Sequence, residues 1–329
     1  MKKLKSLLFA LFGTLAFCQA GHAATDKELA SYPQKPITLV VGFTAGSATD
    51  AVARILAQRM GEKLKQTVVI DNKPGQGGGL AAAAIAKAAP DGYTIMVSGT
   101  GPLVINPTLY QKLPYDTLRD FAPIGMHTWL PYLLVVNPNA RFKTLSEFLE
   151  YARANPDKVS FASSGNGSTA HLMMAMLAQR TGVRLMHVPY KGSAQAQTDV
   201  MGGQVDSVFD TVLSTMPHVR AGRLRAIASG SASRSELAPD VPTANEQGVA
   251  GFNGGAWLGM LAPARTPKPI IDKLNQALNE TLAEPAIRQK LMGMGAEVRH
   301  TTPDEFSTFI KAEHADWSKL VKESGAKVD

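Results

Sequence analysis

Ile37-Thr38-Leu39-Val40-Val41, then Gly42-Phe43-Thr44-Ala45-Gly46-Ser47-Ala48-Thr49-Asp50, then a stretch carrying Val52, Ile55, Leu56 and Met60: this segment decides the fold class. A short run of aliphatic and β-branched residues reads as a strand buried on both faces, and the three-to-four spacing that follows reads as a helix. Working outward, Thr67-Val68-Val69-Ile70 predicts a second strand, Leu80 to Ala88 a second helix after a glycine-rich turn, and Thr94 to Ser98 a third strand. This order specifies a mostly parallel sheet flanked by helices, an α/β fold.

The pattern restarts past Pro131. Tyr132 to Val136 reads as a strand, and Thr144 with Glu147 as a capping box for a helix that stops at Asn155-Pro156. Strand Val159 to Ala162 leads into a helix with Leu172, Met173, Met176 and Leu177 on its inner face, ending near Gly182. Strands at Leu185 to Val188, Val205 to Phe209 and Leu224 to Ala228 complete a second unit. The last section is helical, with Ile270, Ile271, Leu274, Leu278 and Leu282 on one helix and Phe306, Phe309, Ile310, Trp317 and Leu320 on another that opens at Thr302-Pro303. Those apolar faces need a sheet to cover. The chain is therefore expected to cross to a second lobe near 121–131 and return near 250–262, with residues 24–128 and 250–329 in lobe 1 and 129–249 in lobe 2.

The first 23 residues read as a secretory signal peptide. Lys2, Lys3 and Lys5 precede an apolar run from Leu7 to Phe17, and Gly21-His22-Ala23 supplies a small-residue cleavage site. Cys18, the one cysteine, would leave with the leader, which excludes disulfides, thiolate metal sites and cysteine nucleophiles from the mature chain. Bulky Phe17 ahead of it argues against lipidation. Without the three leader lysines the formal charge falls from +7 to +4, with no basic stripe for a nucleic acid.

Three small-residue loops follow strands: Phe43 to Asp50, Ser98-Gly99-Thr100-Gly101, and Ser163-Ser164-Gly165-Asn166-Gly167-Ser168-Thr169. Free N–H groups at helix starts attract anions, and α/β sheets bind ligands beyond the carboxyl ends of their strands. Helix capping explains any one loop equally well. Similar loops in both lobes favour a cleft with an anion-binding wall on each side. The run Pro74-Gly75-Gln76-Gly77-Gly78-Gly79 fits neither nucleotide fingerprint. No GxSxG, HExxH or clustered Cys/His spacing occurs, so no cofactor, metal or catalytic set is expected. His171 reads as a structural donor before it reads as a base, and Asp210 as a hydrogen-bond acceptor at the cleft rim or hinge.

Several motifs occur in order: Tyr32-Pro33, Asn72-Lys73-Pro74-Gly75, Pro90-Asp91-Gly92-Tyr93, Ile105-Asn106-Pro107, Leu113-Pro114-Tyr115-Asp116, Gly165-Asn166-Gly167-Ser168-Thr169, Val188-Pro189-Tyr190-Lys191-Gly192 and Gly203-Gln204-Val205-Asp206. As a set they resemble the Bug-type solute-binding receptors of tripartite tricarboxylate transporters, over essentially the whole mature chain. The resemblance implies a type II periplasmic-binding-protein fold, with two lobes joined by crossing strands. It also implies a non-enzymatic, monomeric periplasmic receptor that closes on a small di- or aromatic carboxylic acid and delivers it to integral membrane transporter subunits. By motif position the ligand-binding residues are Phe43, Thr44, Ala45, Gly46, Ser47, Thr49, Asp50, Ser98, Gly99 and Thr100 in lobe 1. In lobe 2 they are Ser164, Asn166, Gly167, Ser168, Thr169 and His171, with Tyr190, Lys191 and Asp210 nearby. The chain departs from the family pattern at Gly42, at Gly46-Ser47, and at Gly101-Pro102-Leu103, where a histidine is common. The more apolar second loop points towards an aromatic or less charged acid. A periplasmic hydrolase and an orphan ligand sensor are the alternative readings.

The leader makes a direct prediction. The intact mass of protein recovered from periplasm corresponds to a chain starting at Ala24, and a species retaining Cys18 with an added lipid mass contradicts it.

Overall fold

The computed structural model describes residues 31–326, so the leader and Cys18 lie outside the described residues. The first unit runs β1 (Ile37–Val41), α1 (Ala48–Leu64), β2 (Val68–Asn72), α2 (Gly79–Ala86), β3 (Thr94–Gly99), a π-helical turn at Gly101–Ile105, and α3 (Asn106–Leu109). Strand β4 (Phe121–Val136) then leads to α4 (Leu145–Ala154), β5 (Ser160–Ser163), α5 (Thr169–Thr181), β6 (Met186–Pro189), α6 (Ser193–Met201), β7 (Ser207–Thr211), α7 (Val212–Arg220) and β8 (Arg225–Ser229). The chain returns through β9 (Gly255–Pro263) to α8 (Lys268–Leu282), α9 (Pro285–Gly293), β10 (Glu297–Val298) and α10 (Pro303–Ser324).

Two sheets share one strand. The first has the order β2-β1-β3-β9-β4, with β10 added on β4; the second joins β4 to β7, β5 and β6, with β8 also on β4. Strands β1, β2 and β3 are parallel, as the opening alternation requires, while β9 runs antiparallel to both β3 and β4. Residues 121–131 of β4 pair with β9, and residues 132–136 pair with β7 and β8. The sequence predicted only the last part of this strand, Tyr132 to Val136. Pro123 and Pro131 break its composition, and the structure accommodates the first of them at a register shift between Pro123 and Gly125. Helices α6, α7 and α9 were not foreseen either; their apolar faces are short, and α7 carries Pro217 inside it.

Local chemistry accounts for the ends. Ser47 caps α1 through its hydroxyl, which accepts from Asp50 N–H, and Lys65 closes the helix in the left-handed region at φ 54°. Val52, Leu56 and Met60 are buried as the spacing predicted, whereas Ile55 is half-buried and Ala53 and Ala57 complete the inner face. Thr302 and Glu305 form a reciprocal capping box on α10. At α4 only half of the box forms, because Glu147 accepts from Lys143 N–H at 2.6 Å instead of from the cap residue.

Both faces of the first sheet are covered. Ile37, Leu39 and Val41 face α1 and α8, while Val40 belongs to a core that includes α2, α10 and the α4 and α5 faces of the second unit. This second core crosses from one sheet to the other, and Trp257 sits within it. Its ring meets Phe306 edge-on at 5.5 Å, and its indole N–H donates to Glu313 Oε2 at 2.9 Å. Trp317 donates to the same oxygen at 2.9 Å, while Trp129, the residue opposite Trp257 in the ladder, donates to Ser231 at 3.0 Å. Burial holds the Glu313 carboxyl above its usual range.

Phe306 has no exposed surface and packs where a side chain on Gly259 would stand, so its removal leaves a void at the seam. Phe306→Ala lowers unfolding free energy by about 3–5 kcal/mol. Urea titration checks this, and a loss below about 1 kcal/mol would mean that the seam repacks.

Candidate functional site

Residues that follow β1, β3 and β5 meet the middle of β4 and β9 around one cavity of about 560 Å³. That volume is in the range of small-molecule sites, about 300–1,000 Å³.

The second unit contributes Ser164, Asn166, Gly167, Ser168 and Thr169. Gly165 and Gly167 take φ of 132° and 71°, a backbone that only glycine adopts freely, and this folds the loop over the start of α5. Ser168, not Thr169, is the helix cap: its hydroxyl accepts from His171 N–H at 3.3 Å. Thr169 is the first helical residue, and its hydroxyl interacts with that of Tyr132 on β4. Burial raises the Tyr132 phenol above its usual range, so it stays protonated. No acidic residue occupies the first turn of α5, which leaves its N-terminal dipole uncompensated.

Beneath the loop lies a stack of rings. His171 and His187 lie 4.0 Å apart and within 5° of parallel, and Phe161 covers His187 at 4.8 Å. His171 Nδ1 accepts from Gly167 N–H at 3.1 Å, and His187 Nε2 lies 2.7 Å from Ser163 Oγ, which itself accepts from Gly165 N–H. Burial, reinforced by the neighbouring His187, pushes His171 down to about 4; burial lowers His187 too. A neutral His171 is what the Gly167 bond requires, because a protonated Nδ1 has no lone pair to offer.

The first unit contributes Phe43, Thr49, Gly99 and Thr100, joined by Gly77, Gly101, Pro102, Ile105, Asn106, Leu109 and Tyr110. Thr100 Oγ1 accepts from Trp257 N–H at 2.9 Å, and Asn106 Nδ2 donates to Gln76 O at 3.0 Å. At Gly99 an added Cβ would lie 2.0 Å from Trp257 O, so only glycine lets β3 approach β9 so closely. Leu130, Tyr132, Ala256, Trp257 and Leu258 on the shared strands form the floor.

The structure turns the remaining expected residues away from the cavity, each for a local reason. Thr44, Ala45 and Gly46 form an exposed tip, and Ser47 is spent as a cap. Asp50 is buried and accepts from Gly46 N–H, Asn72 Nδ2 and Arg54 Nε, each at 2.9 Å. Arg54 first, then the Gly46 and Asn72 bonds, hold its carboxyl at about 2. Ser98 is buried within β3, and His171 lies under its loop. Tyr190 donates to Asp199 at 2.7 Å, and Lys191 is exposed. Asp210, expected as an acceptor at the cleft rim or hinge, is buried on β7 opposite Leu133, with Ser193, Gln197 Nε2 and Thr211 N–H as its donors. Sequence reasoning missed Tyr132, Trp257, Asn106 and Tyr110 as lining residues; the Ile105-Asn106-Pro107 motif was the one signal near them. Among the described residues no group of three or more His, Cys, Asp or Glu could hold a metal ion.

Residues 52–326 match the family model described as the tripartite tricarboxylate transporter family receptor. Protein BugT of Bordetella pertussis is 37% identical over 322 residues, which cover 98% of each chain. An R. palustris protein solved with adipate is 34% identical at a TM-score of 0.76, with 90% of this chain and 100% of that one covered. MatC from Rhodopseudomonas palustris, solved with bound malate, is 35% identical at a TM-score of 0.72, covering 88% and 100%. The architecture is the type II periplasmic-binding-protein fold. With the family model matched from α1 to the end of α10, and a relative alike over nearly its whole length, this chain belongs to the family of tripartite tricarboxylate transporter receptors, which are solute-binding proteins and not enzymes.

Proposed function

We propose that this protein is a monomeric periplasmic receptor that captures a small carboxylate between its two lobes and delivers it to integral membrane transporter subunits. One observation carries the reading: the uncompensated start of α5, with Ser164, Asn166, Ser168 and Thr169 around it, opens into the cavity between the sheets. A carboxylate there gains N–H and hydroxyl donors together with the helix dipole. The adipate and malate held by two relatives support this chemistry. Export by the leader Lys2 to Ala23 places the receptor where it meets solute before the membrane. Closure uses the shared strands, with residues 24–128 and 250–329 moving as one body against 129–249.

Thr169→Val keeps the side-chain shape and removes one donor to the acid. A hydrogen bond to a charged group is worth about 1.5–3 kcal/mol, so carboxylate affinity falls roughly 10- to 100-fold in titration calorimetry. Because Ser168 is the cap, capping of α5 survives in this variant, and its apo stability falls only by the lost Tyr132 contact, about 0.5–1.5 kcal/mol. Ser168→Ala instead costs about 1 kcal/mol of folding stability. Unchanged affinity in Thr169→Val, measured with an acid that binds the wild type, moves the anion elsewhere.

The ring stack adds a pH dependence. His171 is lowered in the folded chain, so between its unfolded value near 6.5 and about 4 the unfolded state binds more protons. The associated stability is complete above about pH 6.5 and is lost as pH falls through that window. His171→Asn keeps an acceptor for Gly167 N–H without a titrating ring, and its melting temperature declines less steeply between pH 6.5 and 4. Equal slopes would show that other groups set the acid limit.

A further inference from the structure

We infer that Glu297 is a positioning residue: it clasps lobe 2 to lobe 1 outside the cavity and so sets how far apart the two cavity walls stand. This rests on the two-lobe reading above and adds to it a residue that touches no ligand. Glu297 lies on β10, which pairs with β4. Neither it nor any other residue of the clasp is among the described residues that line the cavity.

The Glu297 side chain is buried, and most of its donors belong to the other lobe. Oε1 accepts from the Ser235 hydroxyl at 2.6 Å and from Glu236 N–H at 3.1 Å, both on the segment that follows β8. Ser235 Oγ in turn accepts from Leu237 N–H at 3.1 Å, which leaves its single proton for Glu297. Oε2 accepts from Arg299 Nη2 of its own lobe at 2.9 Å. Two further contacts join the lobes beside it. Arg288 on α9 donates to Glu236 Oε2 at 2.7 Å, an exposed pair that adds little by itself. Gly295 stands so close to α7 that an added Cβ would lie 2.4 Å from Leu213 Cβ.

Moving the lobes apart at this point strips Oε1 of both its partners, and a buried charge left short of donors is costly. The clasp therefore favours the arrangement in which it is made. In that arrangement the two walls meet beside the cavity: a Cβ added to Gly167 of lobe 2 would lie 2.5 Å from Leu109 Cδ2 of lobe 1. Releasing Glu297 lets the walls separate without changing a residue of either. A ligand that bridges both walls then finds fewer competent molecules, and its apparent affinity falls in proportion.

The chain from Ala24 onward has no cysteine, so a pair of labels goes in without a competing thiol. Lys112 in lobe 1 and Lys191 in lobe 2 are exposed, and nitroxides on Lys112→Cys and Lys191→Cys report the separation of the lobes by pulsed dipolar spectroscopy. In the ligand-free protein Glu297→Ala is expected to add a longer-distance population. Ser235→Ala, which removes one donor and leaves the carboxylate in place, adds a smaller one. Glu297→Gln keeps an acceptor for Ser235 and Glu236 and retains the wild-type distribution. Apo melts show that each variant folds, and Ser235→Ala decides the matter where Glu297→Ala does not fold. Unchanged distances in the folded variants overturn the inference, as does a shift in Glu297→Gln equal to that in Glu297→Ala. No ligand enters the comparison, so a failure to bind any carboxylate would overturn the receptor reading and leave the clasp to be judged by the distances.

Discussion

The antiparallel ladder between β4 and β9 is the constraint on which the rest of the molecule depends. It is the backbone seam at which two α/β units become one protein, and its register sets Trp129 against Trp257 and Pro131 against Gly255. A slip of one residue would turn every side chain on the strand to the opposite face, moving Trp257 out of the core it shares with Phe306 and into the one beneath α1 and α8. Sliding is therefore closed to the two sheets, and β4 passes from one to the other between Pro131 and Tyr132. Leu130 and Tyr132, on either side of Pro131, line the cavity, so the crossing point is also part of its floor.

The cavity built on that seam has no charged side chain among the described residues that line it. A cationic cleft attracts any anion and holds it by Coulomb attraction, which salt weakens. Here the donors are backbone N–H groups, hydroxyls and an amide, whose directions are set by the loop's glycines and by the imidazoles below. Neutral donors of this kind discriminate by geometry and by the cost of removing water, both of which distinguish anions of equal charge. Asp50 illustrates the same economy from the other side. Of the helix starts of α1 and α5, the protein provides one with an acidic residue of its own and leaves the other without one.

Much of the fold was legible because period and punctuation agreed. Ile37 to Val41 read as a doubly buried strand, Thr302-Pro303 as a helix start, and Thr144 as a cap, since each depends on neighbours within a few residues. The length of β4 was not legible, because prolines argue against a strand unless a bulge or sheet edge receives them, and only the tertiary structure supplies either. The site followed the same division. Loops rich in Gly, Ser and Thr announced themselves at strand ends, but the direction of each polar group did not. Asp50, His171 and Asp210 look functional in one dimension, and in three they are occupied with bonds inside their own lobes. Tyr132 and Trp257 look like ordinary strand residues and border the cavity because two distant strands happen to pair there.

The placement of the aromatic residues at the seam has an optical consequence. The chain has three tryptophans, and all three are buried around this ladder: Trp129 and Trp257 face each other across it, and Trp257 and Trp317 share the carboxylate of Glu313. Indole emission responds to local polarity and to nearby charge, and none of the three fluorophores is located in a peripheral loop or on an exposed helix face. Tryptophan emission from this protein is thus a signal from the β4–β9 seam and the helix packed on it, an internal gauge that needs no attached dye.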